Sequence, residues 1–191
     1  MSKTIHIIQM LTSRVKTHKL VLIGDPAVGK TSLRRRYLGE GFKANYAVTI
    51  GADFGVKRIT KNGASYLFQI WDLSGQISFH HVRKLYYNNV TSLLIVFDLL
   101  NKSSLDNVRS WFDEYRVNNS KTNISCVLLG NKRDLVDDLN EEMKTEIDKC
   151  MTYIDDHIQT ETRFFSTSAL TSLNVDEAFS WIIKALIENG Q

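Results

Sequence analysis

Proline occurs once in this chain of 191 residues, at position 26, and cysteine only twice. With so little proline there is no Pro-rich linker, and no low-complexity tract or internal repeat divides the chain, so one domain is expected. Cys126 and Cys150 fall in an apolar run and in a helix-like segment. Nothing in that placement suggests a disulfide, which fits a reducing cytoplasm. Long apolar runs are missing as well; none approaches the roughly 20 residues of a membrane-spanning helix. The five histidines lack metal-ligand spacing, and His80-His81 reads as a solvated pair rather than a zinc site. No basic patch is interleaved with aromatics, which argues against a nucleic-acid partner. What remains is 43% hydrophobic and 24% charged, suited to one soluble domain with a real core. The net charge of +3 is mild but unevenly spread: residues 1–36 hold eight Lys or Arg against one acid, and residues 134–161 hold ten acids against two lysines. These read as two solvated helical faces, with Arg34-Arg35-Arg36 also open to a partner or to phospholipid headgroups.

Hydrophobic patterning predicts strands at 19–24, 51–60, 64–71, 92–98, 124–130 and 163–167. Helices are predicted at 30–39, about 104–118 (capped by Ser103), about 138–158, and 175–188 (capped by Asn174). Asn62-Gly63 suits a tight hairpin between the second and third strands. Strands alternating with helices predict an α/β fold: a doubly wound, mostly parallel six-stranded sheet with helices on both faces and ligand loops at the carboxyl ends of the strands.

The loop after the first strand reads Gly24-Asp25-Pro26-Ala27-Val28-Gly29-Lys30-Thr31, a match to G-x-x-x-x-G-K-[ST]. Strand, glycine-bounded loop and helix start form a cradle for polyphosphate, because successive N–H groups turn inward and the helix N-terminus adds partial positive charge. Lys30 is expected to reach the β- and γ-phosphates, and the Thr31 hydroxyl to sit on Mg²⁺. Asp25, Ala27, Val28, Gly29 and Ser32 complete the expected phosphate-binding set.

A phosphate loop does not choose its base. Asn131-Lys132-Arg133-Asp134 follows another apolar run. Asp134 can accept from the N1–H and N2–H₂ edge of guanine, where adenine has no donors, and an unpaired desolvated carboxylate would reject adenine. The stem of Lys132 can lie along the base, and Asn131 can tie this loop to the phosphate loop. Trp71-Asp72-Leu73-Ser74-Gly75-Gln76 ends the third strand. Asp72 is expected to hold Mg²⁺ through water. The Gly75 N–H is expected to donate to the γ-phosphate, and Gln76 to orient an attacking water. Thr49 can complete the metal shell with its hydroxyl and touch the γ-phosphate with its N–H. Gln76, Lys30 and Thr49 form the expected catalytic set; Thr31, Thr49 and Asp72 form the expected metal set.

These stretches, with Ser168-Ala169-Leu170, stand in the order found in small GTPases of the Ras superfamily, which the chain resembles from about Lys19 to Glu188. Ile50-Gly51-Ala52-Asp53-Phe54-Gly55, Leu67-Phe68-Gln69-Ile70-Trp71 and Tyr86-Tyr87 lean toward the Rab branch. The resemblance implies the P-loop fold of a small G domain. It implies that Phe42 packs edge-on against guanine and that the Ala169 N–H reads the guanine O6, flanked by Ser168 and Leu170. It also implies two switch segments, around residues 42–52 and 73–87, ordered by the γ-phosphate. Pro26 departs from the family's usual small residue, removing an N–H and crowding the approach of an activating arginine. Ile77 replaces a glutamate that aids nucleotide exchange in relatives, and Leu170 replaces a lysine whose base contact is largely backbone.

The expected function is therefore a GTP-binding switch that slowly hydrolyses GTP to GDP with Mg²⁺, in membrane trafficking or signalling. The alternative is a nucleotide-binding module without significant hydrolysis. A P-loop kinase would leave Asn131-Lys132-Arg133-Asp134 unused. Effectors, an exchange factor and a GTPase-activating protein are the expected partners of a cytoplasmic monomer. Residues 1–18 are expected to be an N-terminal extension, amphipathic or disordered, ahead of a GTPase domain at 19–191. Ile7, Ile8, Leu11 and Val15 fall on one helical face beside Lys3, Arg14 and Lys16, the candidate for peripheral membrane contact. Rab-like chains usually carry C-terminal cysteines for prenylation, whereas here no cysteine follows Cys150.

Overall fold

The computed structural model describes residues 15–42, 48–119 and 121–188. Six strands form one sheet: β1 (Lys16–Ile23), β2 (Ala52–Lys61), β3 (Ala64–Leu73), β4 (Ser92–Asp98), β5 (Ser125–Asn131) and β6 (Arg163–Ser166). Their spatial order is β2-β3-β1-β4-β5-β6. Only β2 and β3 are antiparallel; all other pairings are parallel. This is the doubly wound, mostly parallel sheet expected from the alternation of elements. The hairpin closes at Lys61↔Ala64. Asn62 and Gly63 both take positive φ there, 52° and 76°, which a tight two-residue turn demands.

The helices are α1 (Lys30–Tyr37), α2 (His80–Lys84), α3 (Lys102–Asp106), α4 (Val108–Asn118), α5 (Glu141–Asp155) and α6 (Val175–Glu188). In β4 and β5 all seven residues are buried, because helices cover both faces of a central parallel sheet. Alternate side chains then divide into two cores. Leu20, Leu22, Leu94, Val127 and Leu129 meet α1 and α6. Val21, Ile23, Leu93, Ile95 and Leu128 meet α3, α4 and α5. On α4 the apolar set is Val108, Trp111, Phe112 and Tyr115, the i, i+3, i+4, i+7 stripe of a one-sided helix. In the first core Tyr37 of α1 stacks on Phe179 of α6, with ring centroids 4.1 Å apart and planes 6° apart. Such pairs contribute about 0.5–1.5 kcal/mol beyond area burial.

Several boundaries differ from those read in the sequence. β1 begins at Lys16, paired with Tyr66, so a division after residue 18 would cut this strand. Residues 1–14, with most of the amphipathic stripe, lie outside the described residues. β3 runs on to Leu73, which places Asp72 inside the sheet beside Leu22 and Asp53. The expected helix over 104–118 is two helices with a break at Asn107. Its cap is Asn101, whose side chain accepts from the Ser103 N–H, rather than Ser103 itself. α5 starts at Glu141 because Asn140 accepts from the Met143 N–H and so sets the first turn. Asn174, at φ 55°, donates from Nδ2 to the Ser166 carbonyl. Among the described residues no helix is long and apolar enough to cross a membrane.

Candidate functional site

Loops at the carboxyl ends of β1, β3, β5 and β6 converge on one cavity of about 340 Å³. Pro26, Ala27 and Gly29 come from the loop after β1, and Lys30, Thr31, Ser32 and Arg35 from α1. Phe42, Val48 and Thr49 close one side, and Ser74, Gly75 and Gln76 another. At the far end stand Asn131, Lys132, Asp134 and Leu135, with Ala169 and Leu170. Most residues expected in the site therefore line one space, although up to 144 positions separate them in the chain.

The loop after β1 turns through left-handed φ at Ala27 (62°) and Gly29 (101°). A Cβ at Gly29 would lie 2.2 Å from Asn131 Nδ2, so glycine is required there for steric and conformational reasons alike. Asn131 is only 2% exposed and works in two directions. Its Nδ2 donates to the Val28 carbonyl at 2.8 Å, and its Oδ1 accepts from the Ala169 N–H at 3.2 Å. One side chain thus ties the loops after β1, β5 and β6 together.

Lys30 is 6% exposed and donates to the Gly24 and Asp25 carbonyls, both at 2.8 Å. Burial lowers its pKa to about 8, opposed by Asp72 and Asp25. Beside it the Thr31 hydroxyl donates to Asp72 Oδ2, lies 2.9 Å from the Thr49 hydroxyl, and the Thr49 hydroxyl reaches Asp72 Oδ2 at 3.3 Å. Asp72 is fully buried, and among the described residues its Oδ1 has no hydrogen-bond partner. Burial raises its pKa, while Thr31 and Lys30 pull the other way. Two hydroxyls and an unsatisfied carboxylate oxygen make a hard, all-oxygen donor set, which fits Mg²⁺.

At the other end of the cavity Lys132 adopts φ 67°, and its ammonium is held 2.6 Å from Asp98 Oδ2. Asp134 accepts from the Ser168 hydroxyl, leaving its other oxygen free of that contact. Ser168 is fully buried and supports the carboxylate from behind. The Val28 side chain, 1% exposed, packs in the core, and its carbonyl accepts from Asn131.

The Asp25 carboxylate accepts from Asn107 Nδ2 at 2.8 Å and Trp111 Nε1 at 2.7 Å, so its side chain is spent away from the cavity, while its backbone carbonyl accepts from Lys30. The basic run Arg34-Arg35-Arg36 is not a free patch either. Arg34 is buried and paired with Asp53 at 2.6 Å. Arg36 donates to the Ala169 and Leu170 carbonyls, both at 2.8 Å. Arg35 lines the cavity and lies 3.9 Å from Glu40. Asp98 and Arg36 were not expected in the site. Asp98 had one available signal, its place at the carboxyl end of β4, where the other site loops emerge.

The Ras family profile matches residues 19–188. The Ypt/Rab-type GTPase YPT7 of Saccharomyces cerevisiae is 34% identical over 180 residues, covering 91% of this chain and 83% of that protein. The Ras-related protein Rab-13 of Rattus norvegicus is 33% identical over 169 residues, 88% of this chain and 79% of the relative. The GTP-binding protein ypt2 of Schizosaccharomyces pombe is 35% identical over 161 residues, 84% and 76% respectively.

Proposed function

The chain belongs to the Ras family of small GTPases, on its Rab-like side, and from that premise we propose that the cavity described above binds and hydrolyses GTP. The observation that carries this reading is the pairing of its two ends. Lys30 with the Thr31–Thr49–Asp72 oxygens stands at one, and Asp134 with Lys132 at the other, in a single space joined by Asn131.

At the base end, the free oxygen of Asp134 and its Ser168-bonded partner face the N1–H and N2–H₂ donors of guanine. Lys132, anchored by Asp98, lays its stem along the ring, and Phe42 meets the ring edge. The Ala169 N–H, on the loop after β6, donates to Asn131 Oδ1 in this structure and would turn from it to serve the guanine O6. At the phosphate end the loop amides and Lys30 hold the β- and γ-phosphates. Bound Mg²⁺ would neutralise charge on the phosphate oxygens. Thr31, Thr49 and Asp72 would hold it, the last through water. Gln76 orients a water whose oxygen attacks the γ-phosphorus as the bond to the β–γ bridging oxygen breaks, leaving GDP and phosphate. The Gly75 N–H donates to the γ-phosphoryl group as this happens.

The expected first switch, around residues 42–52, lies partly outside the described residues; the segment around 73–87 changes with the third phosphate, and effectors read one of the two states. An exchange factor and a GTPase-activating protein set the timing, and the monomer works in membrane trafficking at the cytoplasmic surface of a membrane. Calorimetry with Mg²⁺ and each nucleotide, followed by single-turnover phosphate release, tests the reading. GTP and GDP should bind at least about 10⁴-fold more tightly than ATP. Gln76→Leu should slow release while leaving GTP affinity within about threefold. Equal affinity for ATP, or full-rate release by Gln76→Leu, would overturn it.

A further inference from the structure

Arg83 is the largest fully buried side chain of the described residues, at 1% exposure. A buried guanidinium persists only where its donors and charge are met. Here they are met by an arrangement that points at the site. Nε and Nη2 donate to the two Glu114 oxygens at 2.8 and 2.7 Å. Nη1 donates to the Ser74 carbonyl at 3.0 Å and to the Gln76 carbonyl at 2.7 Å. The guanidinium thus grips the backbone on both sides of Gly75.

The opposite face of this group lies on Trp111, with the guanidinium carbon 4.6 Å from the ring centre. Trp111 in turn donates from Nε1 to Asp25 Oδ1 at 2.7 Å, and Asn107 donates to Asp25 Oδ2 at 2.8 Å. Glu114 is steadied by the Tyr87 hydroxyl at 2.6 Å, and His80 Nε2 lies 3.7 Å from it. A continuous line of contacts therefore runs from Asp25 in the phosphate loop, through Trp111 and Glu114 on α4, to Arg83 and the carbonyls of Ser74 and Gln76.

We propose that Arg83 is a positioning residue for hydrolysis. Held by Glu114 and seated on Trp111, it fixes the backbone on either side of Gly75 relative to the phosphate loop, and so aims Gln76. Stability alone does not call for this design, since buried ion pairs are often replaced by apolar groups without loss. The planar fork of arginine is needed to serve a carboxylate and two carbonyls at once, which a lysine ammonium cannot do with the same geometry. Asp25 gives the device its reference point, because its carboxylate is spent on α4 and not on the cavity.

The inference rests on Gln76 as the residue that aligns water, and the test separates the two. Full-length protein preloaded with GTP is followed through one turnover, and release of a fluorescent GDP analogue is timed in parallel. Arg83→Lys and, as a gentler variant, Glu114→Gln should each slow hydrolysis by about tenfold or more, with nucleotide release changed by less than about threefold. In the Gln76→Leu background the same changes should have no further effect on the residual rate, because the two residues act as one unit. Wild-type hydrolysis by both variants, or a loss of nucleotide retention as large as the loss of rate, would overturn the positioning role. So would equal fractional losses with and without Gln76. If Gln76→Leu alone turns over at full rate while Arg83→Lys is slow through the same step, the Gln76 assignment fails and this inference fails with it. If Gln76→Leu is slow and Arg83→Lys is normal, only the inference falls.

Discussion

Arg36 on α1 donates from Nε to the carbonyl of Ala169, 133 positions further along the chain, at 2.8 Å. Its second contact, to Leu170, fixes the next peptide as well. The helix that starts at the phosphate loop therefore also holds the loop assigned to the base. Arg36→Met keeps the aliphatic stem and removes both bonds. It should speed release of a fluorescent GDP analogue by about tenfold, the loss of one or two charged hydrogen bonds, with little change in the hydrolytic rate of bound GTP. Stopped-flow release measurements check this.

Asp134 is the residue on which base choice depends. Asp134→Asn keeps an acceptor for Ser168 but turns one carboxylate oxygen into a donor. Guanine, with donors on that edge, should bind at least about a hundredfold more weakly, while xanthine, which presents an oxygen where guanine has an amine, should gain. Competition between GTP and XTP read by calorimetry decides it, and an unchanged preference would remove Asp134 from the base assignment.

Gly75 lies against the phosphate loop backbone. A Cβ there would come within 2.5 Å of the Gly24 carbonyl oxygen and 2.6 Å of the Pro26 nitrogen. Neither neighbour is a flexible side-chain end, so Gly75→Ala must push the segment carrying Gln76 outward. Single-turnover hydrolysis should fall by about a hundredfold, the scale of an ångström-level misplacement, while GDP affinity stays within about threefold because the base end is untouched.

His18 offers a prediction outside the site. It is 1% exposed, stacked near Tyr66 and Phe68, and among the described residues neither ring nitrogen has a hydrogen-bond partner. Burial lowers its pKa, and Lys16 and Lys121 push the same way. The folded form therefore stays neutral while the unfolded chain gains a proton below about pH 6.5. Its stability relative to the unfolded chain is intact above that pH and falls as acidity increases. His18→Leu should flatten the dependence of Tm on pH between about 6.5 and 5 by removing that proton difference. Thermal melts across the range test it, and an unaltered slope would show that other groups carry the acid sensitivity.

The sheet and the motif loops were legible because each is written locally. An apolar run followed by Gly24 to Thr31, or by Asn131 to Asp134, carries its strand and its loop in one stretch. Residues whose roles depend on distant partners left no such mark. Asp25 belongs to the phosphate-loop motif, yet its side-chain direction is decided by Asn107 and Trp111 on another element. Arg36 and Arg34 read as members of a basic run because their partners, Ala169 and Asp53, are remote or on a different strand. The break at Asn107 has neither proline nor glycine to announce it. Lys16 to His18 lack the apolar run that marks the rest of β1, and only pairing with β3 makes them strand.

The stacked rings of Tyr37 and Phe179 have one more consequence. They join the segment that opens the nucleotide pocket to the last helix of the domain, so binding competence is a property of the whole fold rather than of its first half. A fragment ending ahead of Val175 would retain every residue assigned to GTP and still expose the underside of the element that presents Lys30 and Thr31, leaving the ligand contacts without a foundation.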